Sequence, residues 1–594
     1  MKHTLALLTA LLLTPLITLR DTDSHAAPNG DDPNPGTKAQ SSQTNSKALG
    51  NSPAHGIRLD LDYWAPDRGT PYRWFEGARD LQTIFPEGYF AAGYLYLYVH
   101  NDTSSPRRAT EFAMDGRPLE ELRKERKVVW WRLLPASLPP GSVGEVMIRL
   151  RAPLREKAAI RVGFDDGSAV ETTIAPKPAP LRIETVGFTA AMDEVFLVVD
   201  RLKDSAHKLS RVWLDGEDVT TRCRFLDPRF STRVSPVTIR PVKPLEYGSY
   251  HTYRVATTEG VSVACSVRTY DGWVPLGSYG YGTCEEYARN GCNGHNNFGR
   301  HGKGDLDTHA ALGMRAVMIL GDQPPAKDLA GHPGVFAYCA MDEPDVADYF
   351  SAKEIPEAER IGYQSMEMER RFQLYRQADP RHLNLLTVDL TYKPANYYVY
   401  APIPDVVNPD CYPFVIGTDA RMVREVVETC RHAAGPRPVS FTFQSQYEEP
   451  LDPAAKARQR FPRPPLASEQ RLMLHYAVGA GARGLFNYIH CTERSGSMIS
   501  HGTREFPDLW HEIGRTYRAL DRVAPLLALA HPSRLATTAD RKVWVSALLA
   551  GPSAILLVVV NEDYEQQAKS CRFNTKRDLT VELPKLPWLK TTCA

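Results

Sequence analysis

Eight short apolar stretches, alternating with amphipathic segments between Trp273 and Ala530, constrain this chain more than any other feature of it. The stretches run Val274 to Tyr279, Cys292 to Asn296, Ala316 to Leu320, Val335 to Met341, Leu383 to Asp389, Val406 to Tyr412, Val439 to Gln444 and Leu485 to His490. The intervening segments carry apolar residues at the helical period, as in Met422, Val423, Val426, Val427 and Cys430, or Trp510, Ile513, Tyr517, Leu520, Val523 and Leu527. Eight β/α rounds in about 250 residues close a (β/α)8 barrel whose functional face lies at the C-terminal ends of its strands. The third round is the weak one. Only 14 residues separate Leu320 from Val335, and Pro324, Pro325 and Pro333 are among them, so a short or distorted helix is expected there.

With 594 residues, the chain is too long for a single core. Upstream of the barrel the signals are short and β-like, for example Gly93-Tyr94-Leu95-Tyr96-Leu97-Tyr98-Val99 and Val195-Phe196-Leu197-Val198-Val199. The proline-rich run from Ala175 to Pro180 divides them into a β-sandwich over residues 56–177 and a second, Ig-like one over 178–271. The barrel takes 272–530, and a small β domain, opened by a hairpin-like pair at Val543 to Leu549 and Ala554 to Asn561, takes 531–594. The expected fold is therefore α/β, a TIM barrel preceded by β-sandwich domains and followed by a small β domain. Trp130-Trp131 reads as sandwich core rather than a sugar-stacking platform.

Residues 1–27 have the form of a cleaved export signal: Lys2 and His3, an apolar stretch from Leu5 to Leu19 too short to span a bilayer, then Ser24-His25-Ala26-Ala27. Residues 28–55 are a polar linker with hardly any large apolar residue. A secreted or periplasmic protein is expected, with no stable membrane span. The 71 Lys and Arg nearly cancel the 70 Asp and Glu, which removes any field favouring nucleic acid. Ten cysteines suit an exported protein with a few bridges, Cys223 with Cys265 being the first pair to test. No C-x-x-C occurs and the 17 histidines form no metal-ligand motif, so neither zinc nor another cofactor is expected.

Polar residues collect at the strand ends. His295 and Asn296 end the second strand, Asp342 and Glu343 follow the fourth, Asp389 the fifth, Asp410 and Tyr412 the sixth, Gln444 the seventh, and Tyr488 and His490 the eighth. Along strand seven Ser440, Thr442, Gln444 and Gln446 share one parity and Phe441 and Phe443 the other, so the even face points into the site. Acids, amides and tyrosines around a neutral cleft suit a hydroxyl-rich ligand, a carbohydrate. Desolvated carboxylates are costly, and glycosidic cleavage needs them: one acid to protonate the leaving oxygen and a second group to attack, activate water or stabilise the cation. Glu343 is the best acid. A helix-capping role for the pair is the plain alternative, for which Asp345 is better placed than Asp342. Gly479-Ala480-Gly481-Ala482-Arg483-Gly484 matches a dinucleotide fingerprint, but it follows a helix and precedes a strand, and reads as a helix stop.

These motifs, with Asp410-Cys411-Tyr412-Pro413 after strand six and Ala477 to Gly484 leading into strand eight, make the chain resemble bacterial glycoside hydrolases of the clan A type. The resemblance implies a glycosidase with Glu343 as acid/base, and a nucleophilic glutamate ending strand seven. This sequence departs there: Gln444-Ser445-Gln446 stands in its place, with Glu448 and Glu449 further out. Either of those glutamates folds back, or Asp410 serves as second carboxylate, or the substrate supplies the nucleophile. In the last respect Asp342-Glu343 is similar to the adjacent pair of substrate-assisted N-acetylhexosaminidases, implying that Asp342 orients an acetamido group, with Tyr412 or Tyr488 supporting it. His295, Asn296, Gln444 and His490 are the remaining sugar-binding candidates. A non-catalytic carbohydrate-binding or scaffold protein on a degenerate barrel is the other reading.

Overall fold

The computed structural model describes residues 6–9, 18–22, 56–67, 92–202, 207–296, 299, 301–389 and 394–589. Of the expected leader and linker, only two short strands fall within it, Ala6–Thr9 beside Ile555–Asn561 and Thr18–Thr22 beside Thr580–Pro584; the rest lies outside the described residues, as does Asn297.

Eight parallel strands close into a barrel: β1 Leu276–Tyr279, β2 Gly294–Asn296, β3 Arg315–Ile319, β4 Val335–Cys339, β5 Leu383–Val388, β6 Val406–Cys411, β7 Val439–Gln444 and β8 Ala482–Tyr488. β8 pairs with both β7 and β1, which completes the ring. The helices that concern the site are α1 Cys284–Arg289, α2 Lys303–Ala311, α3 Pro344–Phe350, α4 Ser365–Ala378, α5 Met422–Ala434, α6 Ala467–Ala480 and α7 Pro507–Asp521. The even face of β7 does point inward: Ser440 donates to Asn408 Oδ1 at 2.8 Å, and Asn408 Nδ2 donates to Thr442 at 2.7 Å, a polar layer inside the ring. Gly481, with φ of 108°, ends α6, because that left-handed position is nearly free of strain only for glycine. The expected third helix is absent; turns join β3 to β4, since the three prolines withhold the backbone donors a helix needs.

Both upstream blocks are sandwiches. The first packs Ile57–Pro66, Gly93–Asn101, Val143–Leu150 and Val128–Leu134 against a sheet built on Arg107–Met114, Ala158–Phe164 and Ala169–Ile174. Strand alternation divides the Tyr-Leu run cleanly: Leu95, Leu97 and Val99 fill the sandwich core. Tyr94 and Tyr98 face the neighbouring domains, Tyr98 donating to Ala264 O at 2.7 Å and Tyr94 to Tyr398 O. Trp130 is buried in the barrel's own core and donates to Val399 O at 2.9 Å, so it anchors domains and is no sugar platform. In the second sandwich Cys223 and Cys265 lie on opposite sheets and are unbonded; Cys223 Sγ donates to Val219 O, and the nine described cysteines are all free thiols. The expected bridge does not form.

A buried ionic network joins the first sandwich to the barrel. Arg132 donates to Glu369 on α4 (3.2 Å) and to Ile403 O (2.9 Å), Arg376 meets Glu369 at 3.0 Å, and Arg437 meets Glu145 at 3.4 Å. Such a set stabilises only while every member is matched; removing one partner strands the others' charges, at roughly 3–5 kcal/mol. Glu369→Ala is expected to lower unfolding stability by about that amount in a denaturant titration. An unchanged midpoint would show that the network is dispensable.

Candidate active site

Local geometry after β4 follows from Pro344. A residue preceding proline is disfavoured in the right-handed helical region, and Pro344 opens α3 at its first position, so Glu343 cannot join the helix. Glu343 takes the left-handed conformation instead (φ 47°, ψ 62°). That conformation costs a non-glycine residue about 1–2 kcal/mol; because β4 ends at Cys339, the turn and not strand alternation sets where Asp342 and Glu343 point. Both carboxyls then enter one cluster. The Glu343 side chain makes no capping bond to α3. Asp345 does not cap either: it is wholly buried and accepts from Asp389 N (3.0 Å) and Asn396 Nδ2 (2.9 Å), which fixes the end of β5.

Carboxylate oxygens of Glu343, Asp389 and Asp410 all lie within 4.8 Å of one another. The carboxyls of Glu343 and Asp410 influence each other directly, so the two titrate as a pair. Burial pushes Glu343 from its ordinary 4.5 up to about 8; the bond to Asp410 opposes this, and the charges of Asp342, Asp389 and Glu448 add to it. Asp410 is raised well above the usual carboxylate range by burial and then by the Glu343 charge. Asp342 rises only to about 6, because a hydrogen bond from Thr387 offsets much of its burial. The neighbourhood thus holds Glu343 protonated and Asp342 largely ionised at neutral pH. Tyr412 donates to Asp410 Oδ2 at 3.2 Å and stacks on Tyr488 with centroids 5.3 Å apart, forming an aromatic wall beside the acids.

The other sequence candidates are occupied elsewhere. Gln444 Oε1 accepts from Phe414 N (2.9 Å) and Val415 N (3.4 Å), and its Nε2 donates to Gln446 O (3.2 Å). It pins the loop after β6 instead of presenting an amide to a ligand. His490 is buried, its ring bonded to Thr503 and Glu286, each at 2.9 Å. His295 is buried against Gly280 O and His309, and Asn296 is buried beside it. Glu448 does approach the site, accepting from Gln446 at 3.3 Å from the strand Tyr447–Pro450; Glu449 turns away to Lys456 and His501.

Two groupings have the composition of cation ligands: the three carboxylates above, and Cys284, His295 and His309. The second has no linear motif, because its members come from α1, β2 and α2; only the fold unites them. Asp389 was visible as a strand end, but its closeness to Glu343 was not. A cavity of about 800 Å³ lies away from the barrel mouth, between both sandwiches, α5 and the C-terminal hairpin, with Tyr63, Arg182, Arg431 and Trp544 in its walls.

No protein-family model matches the sequence, and no curated protein is similar to it. Solved structures align with it distantly. A GH2 β-galacturonidase from Eisenbergiella tayi bound to galacturonate aligns at 11% identity and a TM-score of 0.29, over 72% of this chain and 90% of that one. A Bacteroides uniformis β-glucuronidase aligns at 9% identity and TM-score 0.32, over 83% and 74%. The β-galactosidase of Rahnella sp. R3 aligns at 11% and 0.32, over 43% and 56%. At these TM-scores the alignments carry no argument about activity; the barrel rests on its own strand pairing, and the chemistry on the carboxylates at its mouth.

Proposed function

We propose that this chain is an exported glycoside hydrolase in which Glu343 is the general acid/base. The observation that carries the reading is the cluster of Glu343, Asp389 and Asp410, with oxygens within 4.8 Å of one another, at the C-terminal mouth of a closed barrel, with Asp342 next to it. A carboxylic acid held protonated at neutral pH is what departure of a sugar alkoxide requires. Inversion needs about 6.5–9.5 Å between the two carboxyls to admit a water, and direct double displacement about 5–5.5 Å to admit the anomeric carbon. Glu343 and Asp410, with carboxylate oxygens within 4.8 Å of each other, sit closer than inversion calls for, and Asp410 acts as the proton partner of Glu343. Asp342 is then the carboxylate available to the sugar, which favours attack by a 2-acetamido oxygen over attack by the protein. Gln444, tied to the backbone where clan A enzymes carry their nucleophile, supports the same assignment.

Among the described residues, the leading influences on Asp342, Glu343 and Asp410 are burial, a hydroxyl and neighbouring carboxyls, with no lysine or arginine among them. An acid-rich mouth of this kind repels carboxylates, so a neutral 2-acetamido sugar suits it better than a hexuronic acid.

Glu343→Gln is expected to lower kcat/KM on poor-leaving-group 2-acetamido glycosides by about 10²–10⁴-fold, with 2-hydroxy analogues inert throughout. Tight glycan binding with no turnover by the wild type would instead support the non-catalytic reading. Activity should follow a bell with limbs near 6, where Asp342 loses its charge, and near 8, where Glu343 loses its proton. Stability carries the same signature. A carboxyl raised from 4.5 to about 8 contributes fully below the lower value and loses its contribution as pH rises through the upper one. Glu343→Gln should therefore melt near the wild type at acidic pH and above it at alkaline pH; a variant less stable than wild type in alkali would contradict the buried-acid account.

A further inference from the structure

We propose that Cys284, His295 and His309 bind one Zn²⁺ ion at the rim of the barrel. The tautomers settle which atoms are available. His295 Nε2 lies 2.9 Å from Gly280 O and His309 Nδ1 lies 2.7 Å from Asp305 O. A carbonyl only accepts, so both of those nitrogens carry the hydrogen. The remaining nitrogens, His295 Nδ1 and His309 Nε2, are then bare lone pairs, and they face each other at 3.0 Å. Two lone pairs at that distance repel unless a cation lies between them. Both rings are almost fully buried, at 3% and 1% exposure, where an imidazolium is disfavoured. A metal ion is the cation that fits.

Ligand chemistry selects the metal. Tetrahedral zinc, with Zn–N of about 2.0–2.1 Å and Zn–S of about 2.3 Å, separates two nitrogen ligands by about 3.3 Å and a nitrogen from a sulfur by about 3.5 Å. Cys284 Sγ lies 3.5 Å from His309 Nε2 and 3.6 Å from its Nδ1, beside the ring, so the thiol turns toward the two bare nitrogens to complete the set. The mixed thiolate–imidazole set is the one zinc prefers among common divalent ions, and the two backbone carbonyls orient the imidazoles as outer partners of a metal site do. His301 packs within 4.9 Å of the His309 ring and 5.5 Å of the His295 ring, beside the fourth position. Binding displaces the Cys284 thiol proton to solvent and leaves the metal divalent. The ion would clamp α1, β2 and α2 together and, through Tyr287 between His295 and His490, brace the end of β8.

The full-length protein, purified without chelator and dialysed, should contain about one zinc per chain by plasma mass spectrometry. After chelation and reloading with Co²⁺, a thiolate-to-cobalt charge-transfer band should appear in the near ultraviolet, be missing in Cys284→Ser, and weaken in His309→Gln. Chelation should also expose Cys284 to a thiol reagent. A wild type with native circular dichroism that holds no zinc and gives no cobalt band would overturn the proposal and leave a shared proton between the two histidines. Should the variants fold poorly, the wild-type stoichiometry and band still decide.

Discussion

The site depends on one backbone constraint: Pro344 keeps Glu343 out of the right-handed helical region, and Glu343 takes the left-handed one. β4 has already ended at Cys339, so this turn sets the directions in which Asp342 and Glu343 point. With it, two adjacent acids meet Asp389 and Asp410, and the cost of burying them appears as raised pKa values. Local strain and like-charge crowding both persist only where the surrounding structure over-determines them. Here Asp345 performs that task, holding the Asp389 backbone and Asn396 against the start of α3.

The scaffold around the mouth is stiffened from outside by the first sandwich. Its tyrosine face and Trp130 reach the Tyr398–Val399 backbone, in the segment between β5 and β6, and Arg132 locks onto α4. These contacts fall on the segments that precede β5 and β6, the strands leading to Asp389 and carrying Asp410, so the sandwich acts as a brace for the site.

Periodicity made the barrel legible. All eight strands lie where apolar runs predict them, because a parallel barrel buries both strand faces and leaves unbroken hydrophobic signals. The third helix failed for a reason the sequence also held, its prolines. The acids at strands four and six were legible because charge at a buried strand end is rare. Gln444, His490 and His295 misled for the complementary reason: polar side chains at strand ends also satisfy stray backbone groups, and sequence does not tell which partner each takes. The Cys284–His295–His309 cluster was invisible because its members share no element and no spacing motif. The expected Cys223–Cys265 bridge does not form; Cys223 Sγ donates to Val219 O instead, a local partner that sequence does not reveal.

Everything proposed for the site requires Glu343 to stay protonated at neutral pH beside Asp410. Infrared difference spectroscopy between wild type and Glu343→Gln reads that proton directly, through the carbonyl stretch of a protonated carboxyl. The account predicts a band present at pH 6 that disappears as pH rises through about 8. A Glu343 that shows only the ionised carboxylate stretch at pH 6 would contradict it.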